Sequence, residues 1–82
     1  MNNYLNNLTN DEFHILIGRN VAKLRKEAGY TQLELSLEMG NKSPSLLSSA
    51  EVYKNKRHFN ISQLHTIAKI LNVDMCDFFS VS

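Results

Sequence analysis

A group of cationic side chains with no acidic residue beside it is the feature of this sequence most suited to chemistry. The group lies in a polar stretch and consists of Lys54, Lys56 and Arg57, and His58 is adjacent to it. Clustered cations of this kind can bind phosphate groups, because each neutralised phosphate releases condensed counterions. A solvated surface loop has the same composition. Since the net charge of the chain is only +1, charge alone does not decide between these two interpretations.

Metal-binding and catalytic residue types are also present, but their spacing suits neither role. The candidate metal ligands are His58, His65, Cys76 and Asp77, and they match no standard zinc pattern. We therefore expect no metal and no cofactor, and we expect Cys76 to be a buried or half-buried apolar residue. Serines near Glu51 and His58 suggest a hydrolase, but nothing supplies a nucleophile turn or an oxyanion hole. An enzyme is therefore not expected.

Length and composition restrict the class of protein. With 82 residues, 43% of them hydrophobic, the chain makes one globular domain. No apolar run approaches the ~20 residues that cross a membrane, and the N-terminus lacks the basic and apolar regions of a signal peptide. Cys76 is the single cysteine, which suits a reducing cytoplasm. We therefore expect a cytoplasmic protein without membrane contact.

Helix-start and helix-stop signals divide the sequence into five predicted helices, and no strand-like alternation lasts long enough to matter. Thr9 and Thr31 each precede a glutamate by three residues, which predicts capping boxes, and Asn60 begins a similar pattern. Gly29 and Gly40 predict the ends of the first two helices. The predicted helices span residues 9–29, 31–40, 43–53 and 60–71, with a last short helix after Asp74.

The third predicted helix is short and follows a tight turn. Ser43 is a good N-cap and Pro44 a good first helical residue, because its missing N–H needs no partner there. We expect the helix to run to about Tyr53. Helices under ~12 residues are marginal alone, so both short helices must pack on the others. The outer face of the third helix then stays free, and an α-helix fits the major groove of B-DNA.

Three stretches of the sequence together are similar to those of a known family. They are IGRNVAKLRKEAGYTQLELSLEMG, LLSSAE and QLHTIAKILNVDMCDFF, and they fall between Ile17 and Phe79. Together they resemble the lambda-repressor/Cro-like (XRE-type) helix-turn-helix family. The resemblance implies an all-α, compact five-helix DNA-binding domain at residues 13–82, preceded by a partly flexible extension at residues 1–12.

The resemblance also implies roles for individual residues. Gln32 is implied to bond a phosphate at the start of the second helix. Arg25 and Glu51 match a family pair that bridges helices one and three, which we interpret as a structural ion pair. The residues expected to contact DNA are Thr31, Gln32, Asn41, Lys42, Ser43, Ser45, Ser48, Ser49, Lys54, Asn55, Lys56 and Arg57.

The third predicted helix carries no arginine, glutamine or asparagine between Pro44 and Tyr53. Its serines hydrogen-bond bases but discriminate poorly between them compared with bidentate side chains. Two alternatives follow. Asn41 and Lys42 supply base contacts instead, or specificity rests partly on DNA shape.

Two classes of function fit these observations. The first is a bacterial or phage transcriptional regulator that binds double-stranded DNA at a pseudo-palindromic operator as a homodimer. The alternative is a protein-interaction module, such as an antitoxin or adaptor, in which DNA binding is secondary. A partner-binding surface is suggested by Leu33 and Leu37, although packing beneath the N-terminal residues 4–8 is the interpretation we prefer. We expect one of Phe78 and Phe79 to close the core, while the other could join a dimer.

Overall fold

Four α-helices and three short 3₁₀ helices make up residues 4–81, the part of the chain that the computed structural model describes. The α-helices are α1 (Asn10–Glu27), α2 (Gln32–Glu38), α3 (Ser45–Ala50) and α4 (Ile61–Leu71). The 3₁₀ helices are Leu5–Asn7, Lys54–Lys56 and Met75–Phe79. The all-α prediction is confirmed for these residues, which contain no strand. The extension predicted at residues 1–12 falls partly outside them, because residues 1–3 are not described.

The predicted count of five α-helices is wrong, because the last one is the 3₁₀ helix Met75–Phe79. Asn20 of α1 binds the end of this segment. Its side-chain Nδ2 donates to the carbonyl oxygens of Phe78 and Ser80, at 2.8 and 2.9 Å. These two carbonyls are thereby held by α1, and the chain at Ser80 is extended.

The predicted helix starts are confirmed where they rest on capping boxes. The side chains of Thr9, Thr31 and Asn60 each accept from the backbone N–H three residues later, and the return bond is present in every case. Each box satisfies two backbone donors that the first helical turn leaves unpaired. At the other ends, Gly29 and Gly40 adopt φ angles of 83° and 91°, a region that glycine enters without strain.

The predicted bounds of the third helix are wrong at both ends. The N-cap is Pro44 and not Ser43, whose Oγ instead accepts from the N–H of Ser45 at 3.3 Å. Regular α-helix stops at Ala50, and one further turn leads to Tyr53. The turn cannot continue because Tyr53 is left-handed, with φ 57°.

The core lies where α1, α2, α3 and α4 meet the last 3₁₀ helix. Its buried apolar residues are Ile17, Val21, Leu35, Leu47, Ala50, Phe59, Leu64, Ile67, Ala68, Leu71 and Phe78. Phe78 is fully buried and closes the core as expected, while half-buried Phe79 stacks on Phe13 with ring centroids 5.8 Å apart. Gly18 lets α1 lie directly against the end of α3, since a Cβ atom there would lie 2.7 Å from the carbonyl oxygen of Glu51.

Two expectations about surface residues are wrong. Leu33 and Leu37 are 46% and 55% exposed, because the N-terminal residues lie elsewhere. Leu5 and Leu8 line an apolar groove with Phe13 and Phe79, on the side of α1 that faces the C-terminal 3₁₀ helix. Cys76 is exposed at the same groove and is not the buried residue we expected.

Within residues 4–81, no helix combines the length and apolarity that crossing a bilayer requires.

Candidate nucleic-acid interface

The outer face of α3 is lined with hydroxyl groups. Ser45 and Ser48 are exposed and Ser49 is half-buried, while Leu47 and Ala50 anchor the inner face in the core. The Oγ of Ser48 donates to the carbonyl oxygen of Ser45 at 3.1 Å. Because a hydroxyl also has two acceptor lone pairs, this serine can still accept from a donor on a DNA base edge.

A buried ion pair fixes α3 relative to α1. The guanidinium of Arg25 donates to both carboxylate oxygens of Glu51, Nε to Oε2 at 2.7 Å and Nη2 to Oε1 at 3.0 Å. Its Nη1 donates to the carbonyl oxygen of Tyr30 at 2.8 Å. Both charged residues are 6% exposed. A pair this well hydrogen-bonded offsets much of the cost of removing its charges from water.

Gln32 joins the same carboxylate. Its Nε2 donates to Oε1 of Glu51 at 2.9 Å, and its side chain is half-buried. One carboxylate therefore connects the first residue of α2 with the end of α3. Thr31, the N-cap of α2, is exposed beside it and is hydrogen-bonded in its capping box with Glu34. The bonds from Thr31 lower the pKa of the Glu34 carboxyl, because they favour its charged form.

The turn between α2 and α3 holds three further residues expected to contact DNA. Lys42 and Ser43 are exposed, and the Oγ of Ser43 donates to the Oγ of Ser45 at 3.0 Å. Asn41 is half-buried, its N–H donates to the carbonyl oxygen of Ser36 at 2.9 Å, and its buried Nδ2 lies beside α4. The structure therefore brings Lys42 and Ser43 to the surface next to α3, while Asn41 is partly enclosed.

The basic loop, residues 54–57, follows α3, and all four of its residues are exposed. Among residues 4–81, none of Lys54, Lys56 and Arg57 forms an ion pair with a carboxylate, so their charges face solvent. The loop reverses direction through left-handed residues that are not glycine: Tyr53 at φ 57°, Asn55 at φ 53° and Lys56 at φ 61°. Such conformations cost of order 1 kcal/mol or more each and persist only where surrounding contacts hold them.

Contacts with α1 hold this strained loop. The hydroxyl of Tyr53 donates to Oδ1 of Asp11 at 2.6 Å, which raises the pKa of the Tyr53 phenol. The ring of His58 stacks on the ring of His14 with centroids 4.0 Å apart, and Tyr53 stacks on the same His14 ring at 5.8 Å. Desolvation, assisted by the neighbouring His58, lowers the pKa of His14.

The sequence did not predict these contacts of Tyr53 and His58 with α1, because no local pattern signals them. Asp11 and His14 are 39 to 47 positions away from Tyr53 and His58 along the chain, and neither stretch has a motif that pairs it with the other. No three His, Cys, Asp or Glu side chains within the described range are grouped to hold a metal ion.

Comparison with known proteins agrees with this geometry. A model of the helix-turn-helix family, of the XRE type, matches residues 21–78, which is more than half of the chain. The matched span runs from the middle of α1 through α2, α3 and α4 to the buried Phe78. No curated protein matches the chain.

Proposed function

The chain belongs to the XRE-type, Cro-like helix-turn-helix family of DNA-binding regulators, and from this premise we propose that it binds an operator sequence-specifically. The proposal rests on two neighbouring surfaces. The outer face of α3 exposes hydroxyl groups, and the basic loop that follows it is exposed and has no carboxylate partner among residues 4–81. The first element suits base edges and the second suits phosphates. A bacterial or phage transcriptional regulator acting in the cytoplasm is the corresponding role.

In the proposed complex, α3 enters the major groove. Ser45, Ser48 and Ser49 face base edges, and Lys42 and Ser43 lie at the leading end of the helix. Because hydroxyl groups both donate and accept, they bind several bases with modest discrimination. Part of the specificity then comes from the shape and deformability of the operator. Gln32 and Thr31 lie close to a phosphate at the start of α2.

The basic loop supplies the affinity that does not depend on sequence. Lys54, Lys56 and Arg57 neutralise backbone phosphates, with Asn55 between them as an additional donor. Each neutralised phosphate releases counterions and adds about 0.9 to the slope of log affinity against log salt concentration.

A homodimer is the proposed binding form. The domain measures 38 × 28 × 20 Å, and one helical turn of B-DNA is about 34 Å long. One copy therefore covers about one half-site. Two copies related by a two-fold axis read a pseudo-palindrome, since symmetry in the protein requires matching symmetry in the site.

A salt titration with matched variants tests the proposal. A duplex selected from a random DNA pool is bound by the wild type and by a triple variant, Lys54→Ala, Lys56→Ala and Arg57→Ala. We expect the triple variant to bind at least tenfold more weakly and with a salt slope smaller by about 2 to 3. The control is Lys23→Ala, Lys26→Ala and Lys69→Ala, which removes the same charge from other positions on the surface. Undetectable binding of every duplex at low salt would refute the proposal.

A second candidate function rests on the outer face of α2. Leu33 and Leu37 are exposed, and Leu37 lines a shallow groove with Tyr30, Glu34 and Glu38. An antitoxin or adaptor would use this face for a protein partner. Two results together would favour this function over the first. A protein partner would bind the wild type stably but not the Leu33→Ser and Leu37→Ser variant, and the basic-loop triple variant would keep the DNA affinity of the wild type.

A further inference from the structure

His58 lies at the end of the basic loop in a fixed orientation. It is exposed, and its ring is stacked on His14 of α1 at a centroid distance of 4.0 Å and an interplanar angle of 25°. The stack restricts the ring before any ligand arrives, so little side-chain entropy is lost when the ring forms a new contact. His58 directly follows Arg57 in the chain and is exposed, as the basic loop is.

The hydrogen bond at one ring nitrogen determines what the other nitrogen can do. Nδ1 of His58 lies 3.0 Å from the backbone carbonyl oxygen of Lys56. A carbonyl oxygen only accepts, so Nδ1 carries the proton in this bond. In a neutral ring, Nε2 then has a lone pair and no hydrogen. A phosphate oxygen also only accepts, so neutral Nε2 has nothing to donate to it.

From this geometry we propose that His58 is a further phosphate-binding residue of the DNA interface, and that it binds only as the imidazolium, so that DNA binding takes up a proton at Nε2. The inference rests on the proposed DNA-binding function and goes beyond the basic loop. Protonation places a second N–H donor opposite the one already bonded to Lys56, and adds a positive charge. A phosphate anion beside the ring favours that charged form.

The charged and titratable groups around the ring of His58 are compatible with its protonation when DNA binds. From α1, His14 stacks on the ring, and desolvation, followed by the neighbouring His58, lowers the pKa of His14, which disfavours a second positive charge in the stack. Asp11, also on α1, bonds the hydroxyl of Tyr53 and not the imidazole of His58. In the basic loop, Lys54, Lys56 and Arg57 carry positive charges that attract the same phosphates.

The test measures affinity and proton uptake for a mixed-sequence duplex of about 30 base pairs at low salt, because phosphate contacts do not depend on sequence. Between about pH 6 and pH 8 the dissociation constant of the wild type should rise several-fold with pH, with a slope below tenfold per pH unit, the limit for one linked proton. Calorimetry in two buffers of different ionisation enthalpy should give a net uptake of a fraction of one proton per binding event within this range.

Two variants make the result specific to His58. His58→Gln keeps a neutral donor, so it should bind several-fold more weakly at about pH 6, take up fewer protons and show a flatter pH profile. His65→Gln removes the other exposed histidine, on α4, and should behave like the wild type. Circular dichroism at both pH values checks that each variant is folded.

The outcomes separate this inference from the function on which it rests. Binding that does not change with pH, or that loses the same factor at every pH in His58→Gln, overturns the protonation step and leaves DNA binding standing. A pH dependence that persists in His58→Gln assigns the proton to another group and also overturns the inference. Absence of binding to any duplex, at any pH, refutes the proposed function itself.

Discussion

Gly18 in α1 faces the end of α3 so closely that a Cβ atom at this position would lie 2.6 Å from the carbonyl oxygen of Ala50. The atom in the way belongs to the backbone, so a small side-chain movement cannot relieve the contact. Gly18→Ala should therefore lower the free energy of unfolding by about 3 kcal/mol, since overpacking outweighs the better helix propensity of alanine. Denaturant unfolding measures this change.

Gly29→Ala is the matched control for this substitution. Gly29 has φ 83°, but a Cβ atom added to it would meet no other heavy atom within 4 Å. Alanine there should therefore cost only about 1 kcal/mol, from backbone strain. If Gly18→Ala is as stable as the wild type, the close approach of α1 and α3 is wrong.

The carboxylate of Glu51 should be more important to stability than its position at the end of a short helix suggests. Glu51→Ala leaves the buried guanidinium of Arg25 without its partner, which should cost about 3 to 5 kcal/mol. The double variant Arg25→Met and Glu51→Ala removes both charges and should recover part of that loss. A double-mutant cycle from thermal or denaturant unfolding gives the coupling energy, and a coupling near zero would contradict the buried pair.

Stability should fall on acidification through His14. The pKa of His14 in the folded protein lies below its ordinary value of 6.5, so the unfolded chain binds this proton more readily. The contribution of His14 to the stability of the fold is therefore fully present above about pH 6.5, and it is lost as the pH falls through the lowered pKa of the folded state. His14→Phe keeps an aromatic ring in the stack and should reduce the loss of stability in this range, as measured by unfolding at a series of pH values. An unchanged pH profile in this variant would exclude His14 as the source.

The left-handed conformation of Lys56 can be separated from its charge. Lys56→Ala and Lys56→Gly remove the same ammonium group, but only glycine adopts φ 61° without strain. Lys56→Gly should be more stable than Lys56→Ala by about 1 kcal/mol, while the two variants should weaken DNA binding equally. Equal stability of the two would mean that the loop relaxes out of the left-handed region when Lys56 is replaced.

Local signals in the sequence predict most of the helical framework. The capping boxes at Thr9, Thr31 and Asn60 act over three residues, so their chemistry can be read without knowledge of the rest of the chain. The glycine stops at Gly29 and Gly40 are equally local. The last short helix predicted after Asp74 is a 3₁₀ helix, and no local pattern shows that Asn20 binds the carbonyl groups at its end.

The parts of the candidate site that depend on distant contacts could not be predicted. Nothing in the residues around Tyr53 signals its left-handed φ, and the side-chain contacts that accompany it are with distant Asp11 and His14. The same limit explains the wrong expectation for Leu37, since helical spacing shows that a leucine lies on a face but not whether another segment covers it. The pairing of Glu51 with Arg25 is predicted by a family resemblance and not by spacing.

The side-chain contacts that attach α3 to the rest of the protein lie on its inner side. Leu47 and Ala50 are in the core, and Glu51 is held by Arg25 and Gln32. The outward positions 45 and 48 contribute almost nothing to this attachment, since their hydroxyls bond only within the helix and its leading turn. Substitutions at these two positions should therefore change what the outer face of α3 can bind while the scaffold remains the same.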